Sequence, residues 1–388
     1  MKDNLEGINE HLAAALRNGR LRWPEAWTGQ RVRGAVLEAI LYHGLAGLLV
    51  EKIASFEGWP NDLVSAVHEQ AIAQAMWELG HRAVLSELLG RLANAGVVAI
   101  LLKGTAVAYD LYQSPATRAR GDSDLLIAPA DLERTRSIIQ QLGYSRGALD
   151  HGAADSRSSQ EEWNIVCDGR IHHQIDLHWQ LFNAMALKDV LPFLECSDNA
   201  MALPRLSETA LAMSRVHTLL HTCVHRAMHF TAPYFTDGVA YYGGDRLIWA
   251  NDIDLLVSAL SDAEWTSFCK LAQEKGISAV CLDGLMMAQR FLGTDVPDSV
   301  RQHLSAAPGD MPASTYLLQS RQSGRAWRDL KAVPGLRRKF AYARALSLPS
   351  AAFMRSKYPE MSNSPLAILY ARRVLELFRL SPGRSDVR

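Results

Sequence analysis

The sequence predicts an α+β protein in which a small mixed-sheet core is flanked by N-terminal and C-terminal helical regions. Three observations predict it. Apolar residues recur at three- and four-residue steps through residues 1–95, the period of an amphipathic helix. Residues 96–182 break that pattern: short apolar runs and turn signals alternate as strand, helix, strand, helix, followed by two runs facing each other across Asp-Gly, the texture of an α/β unit closed by a hairpin. After Phe182 the helical period returns.

Taken in order, LEGINEHLAAALRNG, RGAVLEAILYHGLAGLLVEKIA and LVSAVHEQAIAQAMWELGHRAVLSELLGRLANAG are helical patterns, the last stopped at Ala95-Gly96. VVAILL (97–102) is a short buried strand, TAVAYDLY a helix opened by Gly104, and SDLLI (123–127) a second strand. Pro129 and Asp131 open a helix over DLERTRSIIQQLG, and RGALDHGAADSRSSQ (146–160) is a polar loop. WNIVC (163–167) and IHHQIDLHW (171–179) form the hairpin across Asp168-Gly169. ETALAMSRVHTLLHTCVHRAMHF, RLIWANDIDLLVSAL, AEWTSFCKLAQEKG and ISAVCLDGLMMAQRFLG are then helices, with weaker helical pieces near Arg337 to Leu346 and Leu366 to Phe378. The expected division is a helical region at 1–95, an α/β core at 96–182, a helical domain at 183–305 and a basic, partly helical extension at 306–388.

Composition sets limits. The chain has 388 residues, 48% hydrophobic and 21% charged, which suits an ordinary globular protein with room for two or three cores. Basic and acidic residues balance at 41 each, so the whole molecule has no net pull toward nucleic acid. The balance is uneven: residues 321–388 hold 15 basic and 4 acidic residues, a local +11, which leaves −11 for residues 1–320. Such a tail suits docking on the acidic body, on RNA or on anionic lipid, or a solvated helical extension. Five cysteines without a C-x-x-C pair predict reduced, buried thiols. No secretory pattern opens the chain and no apolar run reaches the length of a membrane span, so a cytoplasmic location with no transmembrane segment is expected.

The chemistry concentrates in LLKGTAVAYDLYQSPATRARGDSDLLI (101–127). On an extended strand Asp122 and Asp124 project from one face. Side-by-side carboxylates repel unless a cation lies between them, and hard oxygen ligands suit Mg²⁺ carrying a nucleoside triphosphate (NTP). Gly104-Thr105 lies where a strand gives way to a helix, so amides there, with the Thr105 hydroxyl, suit triphosphate oxygens. Lys103 adjoins them, and Arg118 and Arg120 precede the aspartates. Asp176, in QIDLHW on the hairpin strand, is the choice for a third carboxylate, and His178 shares its strand face. A second D-x-D, Asp252 and Asp254, falls in a helical pattern, where residues two apart diverge by about 200°. It is therefore not the metal pair. His217, His221 and His225 recur at four-residue spacing along one helix face, without the glutamate and third ligand of a helical zinc site. No G-x-S-x-G elbow and no G-x-x-x-x-G-K-[ST] loop is present, which argues against hydrolases and P-loop enzymes of those classes.

The run KGTAxAYxLY…RxxGDSDLLI…LxxLGY…IDLHW resembles the uncharacterised nucleotidyltransferase family of the polymerase-beta superfamily, with looser similarity to toxin nucleotidyltransferases of abortive-infection systems. The resemblance spans about residues 85–260. It implies a polymerase-beta-like core, phosphate held at Gly104 and Thr105, two metal ions (Mg²⁺, or Mn²⁺ in their place) on Asp122 and Asp124, and a third acid, Asp176, completing the site. It departs from the commonest pattern in having Gly-Thr for Gly-Ser, preceded by Lys103, and a longer interval to the first aspartate. The expected activity is transfer of a nucleoside monophosphate from an NTP to an unidentified acceptor (small molecule, peptide, protein or RNA), with release of pyrophosphate. A catalytically inactive nucleotide-sensing or partner-binding module and a toxin-like transferase acting on tRNA are the alternatives.

Overall fold

The computed structural model describes residues 2–18, 21–147, 159–167, 169, 171–229, 234–236, 239–241, 244–308, 311–319, 322–347, 351, 354–355 and 358–378. Most of the polar loop expected at 146–160, and Asp168 of the Asp-Gly turn, lie outside these residues.

Helices α1 (Lys2–Asn18), α2 (Gln30–His43), α3 (Ala46–Val50) and α4 (Asn61–Asn94) make up the N-terminal part, with β1 (Leu21–Arg22) and β2 (Phe56–Glu57) as a small parallel pair. Then come β3 (Ala99–Leu101), α5 (Lys103–Asp110), β4 (Asp122–Ile127), α6 (Leu132–Gln141), β5 (Ser145–Arg146), β6 (Gln160–Cys167), β7 (Ile171–His178) and α7 (Phe193–Asp198). β8 (Ala200–Ala202), β9 (Leu211–Met213), α8 (Arg215–His229), α9 (Leu247–Ala259), α10 (Asp262–Glu274), α11 (Ser278–Leu292) and α12 (Asp298–Ala306) follow.

Seven strands form one mixed sheet in the order β5-β6-β7-β4-β3-β9-β8. β4 lies at its centre, antiparallel to β3 and parallel to β7. Strand β9 departs from expectation. ETALAM is not the start of a helix: Leu211–Met213 is β9, which pairs with β3 and β8 before α8 begins at Arg215. Three residues are too few to show a period of two, so the helical spacing of the following segment ran over them.

The sheet divides two apolar cores. Leu125 and Ile127 of β4 enter the core made with Leu85, Leu88 and Leu92 of α4 and Ile139 of α6. Leu126 enters the larger one, built with α8, α9 and α11. Because side chains alternate along a strand, Asp122 and Asp124 share the face of Leu126 and look toward the helices that follow the sheet.

Candidate active site

β3 runs antiparallel to β4, so the turn after β3 comes back beside the start of β4, and the Leu102 amide donates to the Asp124 carbonyl at 3.1 Å. This brings Lys103 against Asp124 across 21 residues of chain, Nζ to Oδ1 2.6 Å. Lys103 is the one non-glycine residue with positive φ among those described, at +48°. An L side chain there costs roughly 1–2 kcal/mol, and such strain persists where surrounding structure imposes it, often at functional sites.

On the other side β7 is in parallel register, with Asp124 opposite Asp176, Asp122 opposite Gln174 and Leu126 opposite His178. His178 Nε2 lies 2.9 Å from Asp124 Oδ1, and Gln174 donates to Asp176 Oδ1 at 2.8 Å. Ligand atoms of Asp124, Asp176 and His178 all lie within 4.8 Å of one another.

The electrostatics are those of three acids sharing too little positive charge. Burial and then the charge of Asp124 push Asp122 up to about 6. Burial, then Asp122 and Asp124, push Asp176 well above the usual carboxylate range. Burial also opposes ionisation of Asp124, but Lys103 and His178 outweigh it and hold the group well below that range. Burial lowers His178, which favours a neutral imidazole. One lysine thus serves one carboxylate, while burial and mutual repulsion leave the other two with a raised affinity for protons that a further cation would relieve. The atoms that converge belong to Asp124, Asp176 and His178, and Asp122 of the expected metal set is not among them; two carboxylates with an imidazole nitrogen fit a hard divalent cation, and the nitrogen accommodates Mn²⁺.

The neighbouring residues play parts the motif does not announce. Thr105 is buried, and its hydroxyl shares a hydrogen bond with Ser123 Oγ at 2.7 Å, which in turn meets His81 Nε2 at 2.6 Å. The Thr105 hydroxyl, expected to face triphosphate, here braces α5 to β4, and the backbone amides at the start of α5 are the other groups suited to an anion. Arg118 is buried and grips Asp252, Nε to Oδ1 3.0 Å and Nη2 to Oδ2 2.6 Å. Its guanidinium also underlies Gly104, where a Cβ would lie 3.1 Å from Arg118 Cζ. Arg120 pairs with Glu78 of α4 at 2.5 Å. Phosphate contact by either arginine requires exchange of these partners. Asp252 lies in α9 as the helical pattern predicts, held by Arg118 and the Tyr112 hydroxyl, and Asp254 accepts from Thr294.

His217, His221 and His225 run along α8. His217 meets Ser214 Oγ at 2.7 Å, His221 lies edge-on to Phe182 and His225 edge-on to Trp249. Burial lowers His221 to about 3. Among the described residues these histidines form no metal-ligating group. Sequence reading missed Glu78, His81 and Ser123. The available signal was Glu78 and His81 three residues apart on one face of α4, both buried.

A mixed sheet whose central strand carries two carboxylates, with a third in register on its parallel neighbour and a lysine-glycine turn alongside, is the core of a nucleotidyltransferase-like α+β protein. The family model described as uncharacterised nucleotidyltransferase matches residues 33–293, from α2 through α11. The chain belongs to that family. A comparison with curated proteins gives no match.

Proposed function

We propose that the protein is a metal-dependent nucleotidyltransferase that moves a nucleoside monophosphate from an NTP to an acceptor and releases pyrophosphate. The observation that carries this is the direct register of Asp124 with Asp176, with Asp122 and His178 on the same sheet face. Asp122, Asp124, Asp176 and His178 would hold Mg²⁺ or Mn²⁺, which when bound supplies positive charge against the triphosphate oxygens.

The chain's own groups do the rest. Amides at the start of α5 hold phosphate oxygens, since the first helical N–H groups lack partners. Lys103 offers an ammonium to the departing pyrophosphate. Asp176, whose affinity for protons is raised by burial and by Asp122 and Asp124, takes the proton of the acceptor hydroxyl. The acceptor oxygen forms a bond to the α-phosphorus, and the bond to the β-phosphate bridging oxygen breaks with its electron pair on pyrophosphate. The test is transfer of label from α-labelled NTPs in a cell lysate by wild type and by Asp122→Asn with Asp124→Asn. Transfer at the wild-type rate by the double variant overturns the reading, and the labelled product identifies the acceptor.

One observation favours a second reading, a nucleotide-sensing module without turnover: Lys103 already neutralises Asp124 at 2.6 Å. Calorimetry with Mg²⁺ and NTPs that shows binding while no pyrophosphate is released would select it.

A further inference from the structure

Residues 322–347 carry seven basic side chains and a single acid, Asp329. They form two helices, Gln322–Ala332 and Leu336–Ser347. Asp329 is buried and turned inward, accepting from the Tyr316 hydroxyl at 2.9 Å and the Ala186 amide at 2.9 Å. Tyr342 of the second helix also hydrogen-bonds to it. Positive charge on the outer side is therefore left uncompensated, and Arg337, Arg338 and Arg344 make no ion pair among the described residues.

Large apolar groups are exposed on both helices. Leu336 is 85% exposed, Phe340 74% and, on the preceding helix, Trp327 58%. At about 100° per residue, Leu336, Phe340, Arg344 and Arg337 fall within roughly 100° of one another around the helix. Tyr342, which anchors the helix to Asp329, falls on the opposite side. An inward anchor, an outward arc of leucine and phenylalanine, and arginines bordering that arc make a helix fit to lie in an interface. No described helix is long and apolar enough to cross a membrane.

We propose that this face docks on an anionic phospholipid bilayer, with Leu336 and Phe340 entering the headgroup boundary and Arg337 and Arg344 meeting lipid phosphates and carboxylates. Charge alone would suit RNA equally. The decisive feature is an aliphatic side chain almost fully in water next to the arginines: a phosphate backbone offers it nothing, whereas a bilayer takes both.

Flotation of the full-length protein with phosphatidylcholine vesicles, with and without about one third phosphatidylserine, tests this. The expected result is flotation with the anionic vesicles alone, weakened about tenfold by Leu336→Ser with Phe340→Ser and abolished by Arg337→Glu with Arg344→Glu. The apolar substitutions lie at exposed positions, so thermal unfolding curves should coincide with wild type. The charge pair provides an independent variant if they do not. Failure to float with anionic vesicles at low salt, flotation unchanged in both variants, or capture of an RNA oligonucleotide without vesicle binding would each overturn the proposal.

Discussion

Lys103 Nζ stands 2.6 Å from Asp124 Oδ1 on a backbone whose φ is +48°. The residue is thus held in an unfavourable conformation to bring its ammonium to the carboxylate. The two contributions separate by substitution. Lys103→Ala and Lys103→Gly both remove the ammonium, but only alanine retains the Cβ that the left-handed region disfavours. The glycine variant should be more stable than the alanine variant by about 1 kcal/mol in urea unfolding. Both should lose transfer activity to a similar extent, about a hundredfold, if the ammonium is what the chemistry uses. Activity retained by the glycine variant would assign Lys103 a backbone role alone.

Gly104, Arg118 and Asp252 form a stack in which a missing Cβ leaves room for a guanidinium held by a buried carboxylate. Gly104→Ala places a Cβ 3.1 Å from Arg118 Cζ, and should cost about 1–3 kcal/mol as overpacking. Asp252→Ala strands the Arg118 charge beside the Tyr112 hydroxyl and should cost roughly 3–5 kcal/mol. Residues sharing one partner do not add: with Arg118 freed to move in Asp252→Ala, the penalty of Gly104→Ala should shrink. Strict additivity in a urea double-mutant cycle would show that Arg118 does not press on the turn.

What could be read beforehand follows from what repeats locally. The aspartate pair was legible because period two on a strand fixes which side chains share a face, and Asp176 because a hairpin strand has few places to go. The helices α8 to α11 were legible from apolar spacing. Strand β9 was not, because three residues carry no period. Nor were the partners of Arg118 and Arg120: Asp252 is 134 residues away from Arg118, and no local pattern encodes an ion pair closed by tertiary packing. The contact of Thr105 with Ser123 of β4 is likewise closed by tertiary packing and has no local signature.

His178 is the site member with a nitrogen donor. It contacts Asp124 at 2.9 Å, so in the proposed metal site it would act either on the metal itself or on the orientation of a carboxylate ligand. Either role predicts that His178→Ala weakens Mn²⁺ binding about 10- to 100-fold, read by titration of the chelator-stripped protein. Because the imidazole is the soft member of the set, the loss should be larger for Mn²⁺ than for Mg²⁺. Equal binding to wild type and variant would remove His178 from the metal site.

Asp122 makes the metal-free protein respond to pH in an unusual direction. Burial and Asp124 raise it to about 6, against about 3.9 for an unfolded aspartate. Between these values the folded chain holds a proton that the unfolded chain has released, so stability falls as pH rises. Asp176 is raised as well and acts with the same sign. Asp124, held low by Lys103 and His178 despite its burial, acts oppositely, and its stabilisation is lost only in stronger acid. In the presence of a chelator, Asp122→Asn should therefore gain on the wild type by on the order of 2 kcal/mol between pH 4 and pH 7, allowing for the partial exposure of the side chain. Millimolar Mn²⁺ should reverse the order at pH 7, because the ionised carboxylate then meets a cation that asparagine binds poorly. Urea unfolding at the two pH values, with chelator and with Mn²⁺, reads both effects. A wild type that stays ahead by a constant margin at both pH values in chelator would show that Asp122 is not raised.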